Sequence, residues 1–383
     1  MVNYRTAGES HGKSLISFVE GIPAGVDISA DRIADDLSKR RGGIGRGSRQ
    51  KFEADKFEIL SGMIHGKTIA SPIAVEIYNS EWEKWTELMS TAALLSPKLN
   101  SNSNQISNGI NQIQPNMPKG QENDKLQRPR PGHADLEGIR KYGFDSARPV
   151  LERSSARETA ARVVAGSICQ QFLEQAIIKH FGNKFSIDTK VIQFGAVKLN
   201  DFSNEKEFFE ACENFAETAV KNKETVGGIV EIRANGVPNG LGSYISADSR
   251  LDGAIAGAMM SIQAVKGVEI GDGFEIASIP GSEAHDVILA NNSKNYFRKT
   301  NHAGGIEGGI SNGEEIIIRI AIKPIPSVPG GLQTVDLSTG KVATAHPQRS
   351  DASAVFPAQC VAKAMLAITL ADFWTKRFGQ DIL

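Results

Sequence analysis

Cysteine is scarce in this chain of 383 residues. Cys169, Cys212 and Cys360 are odd in number, far apart, and placed in segments with the apolar spacing of helices. A disulfide framework needs an even set of cysteines, and a structural metal site needs clustered ligands. We therefore expect buried structural thiols, with no disulfide framework and no metal centre.

An excess of charge of one sign is also lacking, because 43 basic residues nearly balance 44 acidic ones. No field of the whole molecule favours nucleic acid or an acidic membrane surface, so any anion site must be local. The first residues hold no charged-then-apolar leader, and no uninterrupted apolar run of about 18 residues follows. We expect a cytoplasmic protein without a nucleic-acid or membrane partner.

Three common cofactor motifs are missing as well. The sequence has no complete G-x-x-x-x-G-K-[ST] phosphate loop, no G-x-G-x-x-G dinucleotide turn and no paired Cys-x-x-Cys. Kinase, Rossmann dehydrogenase and zinc-protein interpretations therefore lose their main support. Hydrophobic residues at 40% and charged residues at 23% still predict a globular core.

Hydrophobic spacing predicts a mixture of helices and short strands. A helix capped by Ser29 ends at Arg41, before two glycines. Further helices are predicted after a capping box at Ser155, from about Asp248 to Ala264 and from Pro357, and strands at 57–63, 69–78, 187–198, 226–234, 265–270 and 314–323. This order is not a regular β-then-α alternation, so we expect an α+β fold, with two discernible halves, about 1–175 and 187–383, in one domain of 1–383.

Residues 96–127 differ in composition from the rest of the chain. These 32 positions hold seven Asn, five Gln and no aromatic side chain. A packed core cannot form from such a segment. Two interpretations are open: a solvated, mobile insertion, or a lid over a neighbouring site.

Two polar loops each contain a histidine. Residues 8–12 place His11 between glycines, which leaves the imidazole unshielded for proton transfer, although a turn role is the alternative. Residues 128–135 place Arg130 and His133 on a proline-stiffened loop. Its arginines suit capture of phosphate or carboxylate, or pairing with surface acids.

Two further polar loops precede predicted helices. Residues 153–157 combine two arginines with the free backbone N–H groups of a helix start, which form an anion site. Ordinary capping by Ser155 is the alternative, and capping and anion binding can both hold. Residues 348–353 contain Arg349 and Asp351, a pattern that is informative only if the fold brings it to the other loops.

Arginines gather in loop-like positions. With Arg40, Arg46 and Arg49 included, up to eight such arginines belong to a chain of net charge −1. This predicts a small, multiply anionic ligand in one pocket rather than a polymer. No Tyr, Phe or Trp lies in the four loops, which argues against an RNA-binding module as the alternative.

Together these motifs resemble the chorismate synthase family over nearly the whole chain outside 96–127. The resemblance lies in residues 8–12, 130–135, 153–159, 261–267, 304–309, 323–327 and 349–351. It implies a β-α-β sandwich with antiparallel sheets and long helices, assembled as a homotetramer with one FMN per subunit. It also implies a 1,4-anti elimination of phosphate from 5-enolpyruvylshikimate 3-phosphate to give chorismate, the last step of the shikimate pathway, with reduced FMN required and no net redox change.

The resemblance carries over roles residue by residue. His11 is expected to protonate the departing phosphate, His133 to be the proton partner of the reduced flavin, and Asp351 to assist removal of the C6 hydrogen. Substrate contacts are expected at Ser10, Arg46, Arg49, Arg130, Arg157 and Arg349. Flavin contacts are expected at Arg153, Ser154, Ser155, Gln263, Ala264, Gly308, Lys323, Pro324, Ile325, Pro326, Ser327 and Arg349, and NADP contacts at Arg40 and Arg46.

Two departures from the family pattern are present. Ser353 stands where the family commonly has Cys, and the insertion is longer than usual. The sequence leaves open whether NADPH reduces the flavin on this chain or an external flavin reductase does so. A flavin-binding or flavin-reducing protein without elimination activity is the rival interpretation, but it would lack the paired histidines and the extra arginines.

Overall fold

The computed structural model describes residues 1–46, 55–92, 126–291, 296–346 and 351–380. Most of the predicted insertion at 96–127 lies outside the described residues, as do Arg49 and Arg349.

The N-terminal part forms a four-stranded antiparallel sheet. Its strands, in spatial order, are β1 (Asn3–Ala7), β2 (Ser14–Glu20), β6 (Ile73–Tyr78) and β3 (Phe57–Ile59), and β4 (Met63–Ile64) pairs with β5 (Lys67–Thr68). β3 and β6, which lie within the strands predicted at 57–63 and 69–78, pair antiparallel. Alternate residues of β2 and β6 are buried because only one face of the sheet packs on the core.

The C-terminal part forms a five-stranded antiparallel sheet. Its strands, in spatial order, are β10 (Val265–Ile270), β15 (Ile316–Ile322), β9 (Gly228–Asn235), β7 (Ser186–Phe194) and β8 (Val197–Lys198). Three two-stranded ribbons accompany it: β11 (Ile288–Ala290) with β12 (Tyr296–Arg298), β13 (Ile306–Glu307) with β14 (Ile310–Ser311), and β16 (Gln333–Val335) with β17 (Val342–Thr344).

The helices fill the space between the two sheets and flank it. They are α1 (Ala30–Arg41), α2 (Asp135–Tyr142), α3 (Arg148–Ser154), α4 (Thr159–Phe181), α5 (Glu205–Lys221), α6 (Leu251–Met260), α7 (Gly281–Ala284) and α8 (Val355–Phe378). α4 packs on β2 and β6, α8 packs on β7 and β9, and the two helices pack on each other. The layers are therefore sheet, helices and sheet, as expected for an α+β sandwich.

α4 and α8 run parallel at very close range. A Cβ on Gly166 would lie 2.3 Å from the Cα of Ala364, so only glycine allows this approach. Near the other end of both helices, the rings of Phe181 and Trp374 meet edge to face with centroids 6.0 Å apart. The N-termini of α4 and α8 consequently lie at the same end of the molecule.

α8 is long and apolar enough to cross a membrane, judged by length and composition alone. However, 72% of its apolar window is buried inside the protein. Burial between α4 and the second sheet accounts for this composition, which is that of a core helix.

The first turn before α4 differs from the prediction. Ser155 accepts the N–H of Arg157 and caps a single 3-10 turn over residues 156–158, whereas α4 begins at Thr159. Glu158 does not complete a capping box, because its carboxylate accepts hydrogen bonds from Thr6 and Arg162. The predicted cap is real, but it serves a different helical turn.

Helix α6 is shorter than predicted, and α2, α3, α5 and α7 were not predicted. α6 ends at Met260, and a 3-10 turn over residues 247–249 precedes it. α2 and α3 have eight and seven residues. Such lengths are too short to show a helical period in sequence.

Candidate active site

Two of the polar loops meet on helix α3. Glu152, near the end of α3, contacts His11, and the hydroxyl of Ser154 lies 3.4 Å from Nε2 of His133. Arg130 lies beside His133. We call these five residues, His11, Arg130, His133, Glu152 and Ser154, the two-histidine site.

The turn between β1 and β2 presents His11. Gly8 has φ +97°, and a Cβ there would lie 2.3 Å from the carbonyl oxygen of Ser14, so the turn requires glycine. The N–H of Ser10 donates to the carbonyl oxygen of Glu152 at 3.0 Å. The turn is therefore fixed to α3 before any ligand binds.

The carboxylate of Glu152 holds the His11 imidazole. Nδ1 lies 3.0 Å from both carboxylate oxygens, and the backbone N–H of His11 donates to Oε2 at 2.9 Å. The side chain of Glu152 is 1% exposed and that of His11 is 12% exposed. Burial would raise the pKa of Glu152, but the hydrogen bonds and charge of His11, with the charge of Arg148, hold it below its ordinary value. The glutamate is therefore ionised at neutral pH.

Trp85 packs on one face of the His11 ring. The centroids of the His11 and Trp85 rings are 4.0 Å apart. The guanidinium group of Arg148 lies over the Trp85 ring, 5.8 Å from its centroid. Arg148 also donates to Oε1 of Glu152 at 3.3 Å. The imidazole is thus held by a carboxylate at one edge and an indole at its face.

His133 is held in a comparable way by Asp135, the first residue of α2. Nδ1 of His133 lies 2.6 Å from Oδ1 of Asp135, whose side chain is 3% exposed. Arg130 donates from Nε to the other oxygen, Oδ2, at 2.8 Å and from Nη1 to the hydroxyl of Ser327 at 2.9 Å. Burial would raise the pKa of Asp135, but the hydrogen bonds and charges of His133 and Arg130 hold it well below its ordinary value.

The segment 323–327 closes over this loop. The ammonium group of Lys323 donates to the carbonyl oxygen of Gly132, and Ser327 is buried beside Arg130. The carbonyl oxygen of Ile325 accepts the hydroxyl of Thr225 at 2.8 Å. Hence the structure brings the predicted flavin contacts at 323–327 next to His133.

A second group of predicted flavin contacts lines a cleft of about 480 Å³ beside β1. Arg153 donates to the hydroxyl of Thr6 at 2.9 Å, and Gln263 donates to Glu158 at 3.0 Å. Oε1 of Gln263 is buried and accepts no hydrogen bond within the described residues. Ala264, the next residue, has φ +69°, and its carbonyl oxygen accepts the N–H of Lys323 at 2.9 Å. The positive φ turns the chain from α6 into β10.

Four other predicted residues make ion pairs or backbone contacts. Arg46 pairs with Asp351, so two predicted site residues meet directly. Arg157 donates to the carbonyl oxygen of Tyr78 at 3.3 Å. Arg40 is buried and donates to Asp55 at 3.0 Å.

Gly308 lies apart from these contacts, in the turn between β13 and β14. The carbonyl oxygen of the next residue, Gly309, accepts the N–H of Leu251 at 2.9 Å, so this turn packs against the start of α6.

Sequence reasoning missed Glu152, Trp85 and Arg148. Only Glu152 gave a signal, because it immediately precedes the motif at 153–157. Its partner His11 is 141 positions away, so no local pattern could reveal the contact.

Fold and site together define an α+β protein with a basic ligand site, in which two imidazoles are each held by a buried carboxylate. A family model described as chorismate synthase matches residues 2–375. The chain belongs to the chorismate synthase family, which confirms the resemblance.

Individual relatives agree with the family model over full length. A chorismate synthase of Bifidobacterium longum (strain DJO10A) is 48% identical over 397 residues, covering 100% of this chain and 95% of the relative. That of Paenarthrobacter aurescens (strain TC1) is 46% identical over 395 residues, covering 100% and 94%. A crystal structure of a chorismate synthase matches with a TM-score of 0.70 at 35% identity, covering 100% and 94%.

Proposed function

We propose that the two-histidine site and the arginines around it catalyse the 1,4-anti elimination of phosphate from 5-enolpyruvylshikimate 3-phosphate, which gives chorismate. The chain is a carbon–oxygen lyase of aromatic amino acid biosynthesis by its family. One observation carries the assignment of the site: each imidazole is anchored through Nδ1 to a buried carboxylate, and both histidines contact residues of helix α3.

His11 is the proposed acid for the leaving phosphate. With Nδ1 occupied by Glu152, Nε2 is the nitrogen that can give a proton to a ligand. Phosphate leaves more readily when its developing charge is neutralised, and a positioned acid contributes roughly 10² to 10⁴-fold to such a step. Arg46 and Arg157, with Arg49, Arg130 and Arg349, are the proposed partners of the substrate phosphate and carboxylates.

A reduced FMN fits the donors and the spare acceptor at this site. Arg153, Ser154 and Lys323 supply hydrogen-bond donors suited to a phosphate and to ring carbonyls. The unused Oε1 of Gln263 is a buried acceptor suited to a ring N–H. Ser155, Ala264, Gly308, Pro324, Ile325, Pro326, Ser327 and Arg349 complete the proposed set. When bound, reduced FMN would supply the electron density that the elimination needs, without net redox change.

The other polar groups have proposed roles in proton handling. With Nδ1 of His133 held by Asp135, Nε2 is the proposed proton partner of the flavin. Asp351, ion-paired with Arg46, assists loss of the C6 hydrogen. Ser10, whose N–H is fixed to α3, contacts the substrate.

Assembly and flavin reduction belong to the same proposal. We propose a cytoplasmic homotetramer, with flavin reduced by NADPH bound at Arg40 and Arg46 or by a separate flavin reductase. In the described part of the chain Arg40 already pairs with Asp55, so a nucleotide there has to compete with an internal carboxylate.

An anaerobic assay tests the proposed function. Purified protein is mixed with 5-enolpyruvylshikimate 3-phosphate and chemically reduced FMN, and both chorismate absorbance and phosphate release are followed. Equal amounts of both products, with none when oxidised FMN is used, are expected. FMN binding without either product would instead support a flavin-binding protein that lacks elimination activity.

A further inference from the structure

We propose that Glu152 is a positioning residue that fixes the tautomer and the orientation of the His11 imidazole, so that Nε2 faces the substrate. The proposal rests on the role of His11 in the proposed function. Glu152 touches neither the reacting atoms nor a cofactor and acts only through His11.

The geometry singles out one carboxylate for this task. Glu152 receives the backbone N–H of His11 at 2.9 Å and meets the ring at Nδ1 at 3.0 Å, while its own carbonyl oxygen receives the N–H of Ser10 at 3.0 Å. Two of these contacts fix the backbone of the turn and the third fixes the ring. Moving Glu152 would therefore displace the whole turn, whereas neutralising it would release mainly the ring.

The chemistry of the pair determines the tautomer. An ionised carboxylate can only accept hydrogen bonds, so Nδ1 must carry the hydrogen that points at Glu152. The depressed pKa of Glu152 keeps its carboxylate ionised despite burial. A neutral His11 consequently has a bare Nε2, which takes up the proton that it later donates.

The surroundings prevent the ring from escaping this arrangement. Trp85 covers one face of the imidazole at a centroid distance of 4.0 Å. Arg148, four residues before Glu152 on α3, donates to Oε1 at 3.3 Å and holds the carboxylate from its other side. Rotation of the imidazole would exchange a charged hydrogen bond for contact with carbon atoms, which is unfavourable in a buried site.

Nitrogen NMR of the wild-type protein tests the tautomer directly. The histidine rings are labelled with ¹⁵N, and the His11 signals are assigned by their loss in His11→Asn. We expect the neutral ring to carry its hydrogen on Nδ1. A neutral ring protonated on Nε2 overturns the proposal, whether or not any variant folds.

Kinetics of Glu152→Gln provide the second test. The glutamine keeps the shape but both donates and accepts, so the tautomer preference should be lost. We expect turnover to fall about 10²-fold while KM changes less than about 3-fold. Glu152→Asp keeps the charge, so its turnover should be about 10-fold higher than that of Glu152→Gln.

A matched control separates positioning from loss of a buried charge. Glu231 is also a buried carboxylate, paired with Arg233 at 2.7 Å and Arg319 at 2.9 Å in the second sheet. Glu231→Gln should leave turnover within about 2-fold of wild type. Equal losses in both variants, or no NMR change in Glu152→Gln, would overturn the proposal.

The proposed function fails separately from this inference. If the wild-type protein forms no chorismate in the anaerobic assay, the proposed elimination activity is contradicted. The NMR spectrum then still decides whether Glu152 sets the tautomer of His11.

Discussion

The two histidine–carboxylate pairs reach similar geometry by different routes. His133 and Asp135 are two positions apart and are joined within one loop, whereas His11 and Glu152 are 141 positions apart. The first pair depends on a local turn and the second on docking of the β1–β2 turn onto α3. Local pairs persist as long as their loop does, but long-range pairs report on tertiary assembly.

Removal of each imidazole should have the largest effect. We expect His11→Ala and His133→Ala each to lower turnover by roughly 10²-fold or more, because each removes a positioned proton carrier. FMN binding, measured by titration, should stay detectable in both. Turnover near wild type in either variant would exclude that histidine from the mechanism. Only one of the two histidine–carboxylate pairs would then take part in the reaction.

Neutralising Asp135 should lower the stability of the protein and leave the surroundings of His11 unchanged. Asp135→Asn leaves Arg130, 9% exposed, without its charged partner. We expect the free energy of unfolding in urea to fall by about 2 kcal/mol. Glu137→Gln, an exposed change of the same charge on α2, is the matched control and should change it by less than about 0.5 kcal/mol. In ¹⁵N spectra the His11 signals should be unaltered in Asp135→Asn.

Lowering the pH should reduce the difference in free energy of unfolding between wild type and Asp135→Asn. The folded pKa of Asp135 lies well below its unfolded value, so its stabilisation is complete above about pH 5, begins to fall near the ordinary aspartate value of about 3.9, and is lost only as the pH approaches the folded pKa. The gap between the urea midpoints of the two proteins should therefore be smaller at about pH 3 than at about pH 6, without closing. A constant gap over that range would contradict the depressed pKa.

Deletion of about residues 98–122 should have the smallest effect. This segment has little to bury, so the melting temperature should stay within about 3 °C of wild type. Because the segment precedes residues 128–135, any loss of activity should appear on the His133 side. A large drop in melting temperature would show that the segment packs on the fold.

Local signals explain what the sequence could predict. The Ser29 cap and the following glycines locate α1 correctly, and apolar patterns locate β7, β9 and β15. These features depend on near neighbours in the chain, where capping and periodicity act.

Long-range contacts explain what the sequence could not predict. The stacking of Trp85 on His11 and the orphan Oε1 of Gln263 depend on the packing of distant segments. α3 is too short to show a helical period, so its role as a common support for both imidazoles appears only in the structure. The role of Asp135 lies between these cases, since its loop is a recognisable motif but its double pairing with Arg130 and His133 is not.

The parallel packing of α4 and α8 has a consequence for local unfolding. Arg157 and Glu158 immediately precede α4, and Asp351 lies four residues before α8, so site residues join directly to the two most buried helices. Buried core elements exchange their amide hydrogens mainly through global opening, whereas helix ends and ligand-binding segments open locally at lower free energy. Amide hydrogens in the middle of both helices should therefore exchange through global opening, and those of the site segments at the helix starts should exchange faster.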